Sequence, residues 1–138
     1  MTMPRTPVGA FDRAAAFVAG GSVVGGIAAA RGEHEVVAVE VALPRLPKQL
    51  DGFTIVQLSD LHTGLTIDRS FVQRVVDRAN ALAPDLIALT GDLVDGPVDD
   101  LRDDVSPLAE LHAPHGVFAI TGNHEYYAGA EPWVAEIT

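Results

Sequence analysis

Three stretches of this chain end in side chains that could do chemistry together. Residues 53–62 read Phe-Thr-Ile-Val-Gln-Leu-Ser-Asp-Leu-His, an apolar run that stops at Asp60 and His62. Residues 85–90 lead into Gly91-Asp92-Leu93-Val94-Asp95, and residues 116–121 lead into Gly122-Asn123-His124-Glu125. Asp60 and His62 are two apart, so on an extended chain both side chains leave one face, as half of a metal site would. A glycine directly before Asp92 and before Asn123 lets the backbone turn sharply and brings the next side chain close to a ligand. Two divalent cations roughly 3.5–4 Å apart can clamp the attacking and leaving oxygens of a phosphoryl displacement. Asp92 is the natural bridging carboxylate for such a pair. Asp60 and His62 would serve one cation, and Asn123 offers a neutral oxygen to the other.

The elements that must position these residues follow from hydrophobic pattern. Each polar motif comes after a short, β-branched apolar run, which reads as a buried strand. Between the first two strands, Asp68 reads as the N-cap of a helix from 69 to about 82, with Phe71, Val72, Val75, Val76, Ala79 and Leu82 on one face. Pro84 ends that helix. A second helix reads from the acidic residues 99–104 to Leu111, with Pro107 delaying its start, and a last one begins near Glu131. Residues 35–43 alternate as a strand with one wetter face, closed by Pro44 and Pro47. Strands alternating with helices predict an α/β fold with parallel strands. In open sheets of this kind ligands bind at the carboxyl ends of the strands.

The 138 residues suffice for one domain with a real core. A net charge of -10 argues against a nucleic-acid surface or an anionic membrane surface as a non-specific partner. No cysteine is present, which excludes disulfides, thiolate zinc sites and cysteine nucleophiles. There is no glycine-rich phosphate loop of the usual nucleotide-binding kind.

Residues 14–30 carry no charge and are rich in Ala, Val and Gly. Three readings compete. The first is a membrane helix, short against the roughly 20 residues of a span but with Gly21 and Gly25 spaced for close packing. The second is an export signal, with Arg5 and Arg13 before it and Ala28-Ala29-Ala30 as a cleavage site. The third is a plain glycine-rich lead-in. The expected organisation is a tail over 1–34, containing this segment, and a catalytic domain over 35–138.

Asp60-x-His62, Gly91-Asp92-x-x-Asp95 and Gly122-Asn123-His124-Glu125, in this order and each at a strand end, resemble the calcineurin-like metallophosphoesterase family. The lead-in Leu-Pro-Arg-Leu-Pro-Lys-Gln-Leu-Asp-Gly is similar to that family's membrane-associated bacterial branch. The resemblance implies the N-terminal half of a four-layer α/β/β/α sandwich and hydrolysis of phosphomonoesters or phosphodiesters by a hydroxide bridging two divalent metals (Mn, Fe, Zn or Mg). It implies Asp60, His62, Asp92 and Asn123 as metal ligands. His124 would protonate the leaving oxygen or stabilise its charge, and Asp95 would orient the His124 ring. The substrate would be a small-molecule or lipid phosphoester, and the protein membrane-associated or exported, otherwise cytoplasmic.

The family's pattern continues with a further histidine ligand and a Gly-His-x-His motif, and residues 126–138 supply neither. The second metal would then have two protein ligands, Asp92 and Asn123. Two readings follow: a metal-dependent phosphoesterase completed by a longer parent or another polypeptide, or a truncated, inactive fragment keeping half of the metal site. Outside the motifs, His34, His112 and His115 read as surface residues, and Thr63 and Thr66 as caps. Tyr126, Tyr127 and Trp133 read as packing residues before cleft residues. Glu125 reads as fixing its motif loop.

Overall fold

A computed structural model describes the backbone of Arg13–Gly20 and residues 35–138 in full. The strands β1 (Arg13–Gly20), β2 (Val36–Ala42), β3 (Thr54–Ser59), β4 (Leu86–Leu89) and β5 (Val117–Ala119) form one sheet in the order β2-β1-β3-β4-β5. Strands β1, β3, β4 and β5 run parallel, and β2 pairs antiparallel with β1. The helices are α1 (Arg69–Ala81), α2 (Val98–Val105), α3 (Asn123–Ala128) and α4 (Ala130–Ile137). Parallel neighbours need crossovers, and α1 supplies the one from β3 to β4, α2 the one from β4 to β5. The fold is α/β, and β3, β4 and β5 end at the same side of the sheet.

The apolar pattern explains the layering. Val56 and Leu58 on β3 and Ile87 and Leu89 on β4 alternate onto one face and pack in a single cluster with Phe71, Val72, Val75, Val76 and Ala79 of α1. The other face is more open: Ile55, Gln57 and Ala88 are half-buried, and Val37, Val39 and Val41 of β2 and Phe118 of β5 are exposed.

Helix α1 starts where Asp68 accepts a hydrogen bond from Phe71 N at 3.1 Å, as an N-cap does. The helix expected over 99–111 divides instead. Helix α2 ends at Val105, and Ser106–Glu110 tightens into a 3-10 turn with Pro107 in its first turn. Proline lacks the N–H that would continue an α-helix. Helix α4 is tied back by Trp133, fully buried, whose Nε1 donates to Gly96 O at 2.9 Å.

Of the apolar stretch 14–30, read as a membrane helix or export signal, the part within β1 is a strand between β2 and β3. An uncharged apolar run suits a strand as well as a helix, and here two neighbouring strands offer it a hydrogen-bonding edge on each side. The rest of the stretch lies outside the described residues. Among the described residues no helix is long and apolar enough to cross a membrane.

The opposite end of β3 and β4 is fastened by Asp85. Its Oδ2 accepts from Thr54 N at 2.7 Å and from Thr54 Oγ1 at 2.9 Å. The Thr54 backbone N–H and then its hydroxyl hold the Asp85 carboxyl below its ordinary value, helped by nearby His115 and opposed by partial burial. A carboxylate depressed on folding adds stability above its unfolded pKa and loses it as pH falls through the folded one. The stability added by Asp85 is therefore complete above about pH 3.8 and fades below it. An Asp85→Ala variant should be less stable than wild type in urea unfolding near neutral pH, and the gap should narrow as the pH is lowered below that value. A gap that stays constant from neutral to acid pH would show that the carboxylate's charge is not the source.

Candidate metal centre

Strands β3 and β4 stop before the polar motifs, yet their chains stay paired. Asp60 N donates to Gly91 O at 3.1 Å, His62 N to Asp92 O at 3.1 Å and Thr63 N to Leu93 O at 2.9 Å. To keep this pairing while turning off the sheet, the backbone enters the left-handed region at Asp60 (φ 57°), His62 (φ 48°) and Asp92 (φ 54°). Such conformations are uncommon outside glycine, are tolerated best by Asp, Asn and His, and concentrate at functional sites. The two-residue spacing on an extended strand is thus not what gathers Asp60 and His62. Both lie past Ser59, and their turns bring His62 Nε2 to 3.9 Å from Asp60 Oδ1.

Donor atoms of Asp60, His62 and Asp92 all lie within 4.8 Å of one another. Two carboxylates and an imidazole so placed fit a divalent cation. Asn123 opens α3 directly after Gly122 and is exposed. Its backbone is held beside Asp92, because Asp92 Oδ1 accepts from His124 N at 2.9 Å.

The two glycines permit this closeness. A Cβ on Gly91 would lie 2.2 Å from Gly122 N, and a Cβ on Gly122 would lie 2.3 Å from Asp92 Oδ1. Neither position accepts a side chain without parting the loops.

The clamp between those loops is Glu125, only 1% exposed. Its Oε2 accepts from Gly122 N at 2.6 Å and Asp92 N at 2.9 Å, and its Oε1 from Leu93 N at 2.6 Å and Val94 N at 3.3 Å. The sequence pattern pointed to a loop-fixing Glu125. Its reach into the Asp92 loop could not be read from a neighbouring motif.

Asp95 faces the histidines. Its Oδ1 lies 2.8 Å from His124 Nδ1 and 2.7 Å from His62 Nδ1. The two rings meet edge to face with centroids 4.4 Å apart. Thr63, expected as a cap, is fully buried instead, and its carbonyl accepts from Asp95 N at 2.9 Å. It is a positioning residue that the sequence reading missed; a β-bridge between Thr63 and Val94 is its structural signature. Tyr126 and Tyr127 are exposed, Tyr127 lying 5.9 Å from the His124 ring, while His112 and His115 are exposed and outside the cluster.

Removing Glu125 strands four backbone amides, those of Leu93 and Val94 buried and those of Asp92 and Gly122 half-buried. An unsatisfied buried donor costs about 1–3 kcal/mol, part of which entering water can recover. Glu125→Ala should therefore lower unfolding free energy by about 3–5 kcal/mol, and Glu125→Gln, which retains one acceptor oxygen, by less. Urea denaturation of both variants checks this; a loss under about 0.5 kcal/mol for Glu125→Ala would mean the loops hold without the clamp.

Comparison with known proteins agrees with this geometry. A family model described as "Calcineurin-like phosphoesterase" matches residues 53–137, which contain all three motifs. The chain is 43% identical over 100 residues to the "Transmembrane protein with metallophosphoesterase domain" of Danio rerio, covering 72% of this chain and 23% of that one. It is 37% identical over 95 residues to an uncharacterized metallophosphoesterase of Campylobacter jejuni, covering 69% and 25%. It is 38% identical over 85 residues to the UDP-2,3-diacylglucosamine pyrophosphatase LpxG of Chlamydia trachomatis, covering 61% and 26%. The chain spans about a quarter of the length of these relatives. No solved structure matches it. A match over more than half of the residues, centred on the clustered Asp and His side chains, makes the chain a member of the calcineurin-like phosphoesterase family.

Proposed function

We propose that this chain carries the first half of a metal-dependent phosphoester-hydrolysing centre. The observation that supports the reading best is the convergence of Asp60, His62 and Asp92 donor atoms within 4.8 Å, each on a left-handed backbone turn. In this reading Asp60, His62 and Asp92 would hold a divalent cation, with Asp92 shared toward a second one to which Asn123 would add a ligand. Bound cations would supply Lewis-acid activation of water and neutralise charge on the phosphoryl group.

The chain's own residues then have distinct tasks. His124 sits beside the cluster with its Nδ1 2.8 Å from Asp95, which orients the ring; with a proton on each ring nitrogen, Nε2–H would give its proton to the leaving oxygen and Nδ1–H would stay with Asp95. Asp92 keeps one oxygen on His124 N, so the proposed bridge and the proposed acid are set against each other. Glu125 holds both loops while they do so.

The substrate proposed is a small-molecule or lipid phosphoester. One relative is named for a pyrophosphatase of a diacylated sugar nucleotide, and others for transmembrane proteins, which supports membrane association for the full-length protein.

The test is hydrolysis of a chromogenic phosphodiester and a phosphomonoester by the purified chain, with Mn²⁺ and with chelator. Turnover should need Mn²⁺. Asp92→Asn should lower it by more than the roughly 10–100-fold that losing an outer-sphere partner costs. A folded chain that binds Mn²⁺ but turns over neither ester would favour the alternative, a half-site that is inactive by itself.

A further inference from the structure

The Asp95 carboxylate touches both histidines with one oxygen. Its Oδ1 lies 2.7 Å from His62 Nδ1 and 2.8 Å from His124 Nδ1. A carboxylate only accepts hydrogen bonds, so His62 Nδ1 is the donor in its bond to Asp95, while His124 Nδ1 stands at ion-pair distance from the same oxygen. A neutral imidazole has a single N–H. With that proton on Nδ1, the lone pair of His62 is on Nε2, the nitrogen that faces Asp60 Oδ1 at 3.9 Å.

We infer that Asp95 is a positioning residue for the metal ligand His62 as well as for His124, fixing His62 as the Nδ1–H tautomer with Nε2 turned to the cation. This rests on the proposed reading of Asp60, His62 and Asp92 as a cation site. Three further observations support it. The edge-to-face contact of the two rings, 84° between planes at 4.4 Å, lets both Nδ1 atoms reach one oxygen. Asp95 N is itself anchored on the carbonyl of buried Thr63, so the carboxylate starts from a fixed backbone position. Thr63 directly follows His62, so the same short segment carries the ligand and anchors its partner. Outer carboxylates of this kind set the ring orientation and basicity of metal-bound histidines.

The consequence separates Asp95 from a residue that serves the leaving group alone. Asp95→Ala should weaken Mn²⁺ binding by about 10–100-fold, measured by calorimetry on the full 138-residue chain. His124→Ala keeps the Asp95–His62 bond and should leave Mn²⁺ affinity unchanged. Imidazole nitrogen NMR of the metal-free chain at mildly alkaline pH gives the second readout. His62 should show the Nδ1–H tautomer in wild type and in His124→Ala, and should move toward the Nε2–H form in Asp95→Ala. Asp95→Asn, which keeps one acceptor oxygen, should restore part of the tautomer preference.

A folded Asp95→Ala chain with unchanged His62 tautomer and unchanged Mn²⁺ affinity would overturn the inference. Cadmium NMR showing coupling to Nδ1 of both histidines would overturn it too, because His62, Asp95 and His124 would then be the cation site themselves. Absence of ester hydrolysis by wild type would count against the proposed function only, since tautomer and affinity are read without turnover. If Mn²⁺ failed to bind wild type, the cation reading would fall, and the tautomer measurement would still decide what positions His62.

Discussion

The carboxylate of Glu125 holds the site together. It is a buried charge that no described ion pair neutralises, and it is made tolerable by four backbone N–H donors from two separate loops. Burying an ionised group without such partners costs several kcal/mol, so the amides and the carboxylate depend on each other. If either loop moves, the charge loses donors; if the charge is removed, the amides lose their acceptor. That mutual dependence fixes Asp92 against His124 and, through the continued pairing with the first loop, fixes Asp60 and His62 as well.

This clamp also offsets a local cost. Asp60, His62 and Asp92 occupy left-handed backbone, each about 1–3 kcal/mol above ordinary conformations. Such turns persist only where the surroundings over-determine them. Here the surroundings are the hydrogen bonds from Asp60, His62 and Thr63 to the second loop, and an apolar layer beneath, in which Leu61, Leu93 and Val94 are buried directly between the polar residues. The alternation of core and ligand residues within each loop ties the position of the chemistry to the stability of the core.

Much of this was legible in the sequence, for local reasons. The strands β3, β4 and β5, the helix α1 and its Asp68 cap follow from alternation, helical spacing and a side chain that competes for a free N–H. The grouping of Asp60, His62 and Asp92 follows from parallel strands that end together. What was not legible depends on partners distant in sequence. The left-handed turns exist because Asp60 and His62 must reach carbonyls at 91 and 92. The strand at Arg13–Gly20 exists because β2 and β3 present edges on both sides of an uncharged run that, alone, is equally suited to a helix. The burial of Thr63 follows from its bridge to Val94, and a lone threonine after a histidine gives no hint of it.

The site's four carboxylates divide by what already occupies their oxygens. Glu125 is fully engaged by backbone amides, whereas Asp95 directs one oxygen, Oδ1, at two ring nitrogens. Asp92 has one oxygen on His124 N and one left over, and Asp60 is more than half exposed at 55%. The oxygens open beside the Nε2 of His62 are those of Asp60 and Asp92. Their combined negative charge would repel an anionic phosphoester, and a chain of net charge -10 adds to that repulsion. Divalent cations at these oxygens would invert the local potential. On the proposed reading, the same carboxylates that repel the substrate from the bare site attract the ions that draw it in, so cation binding must precede phosphoester binding.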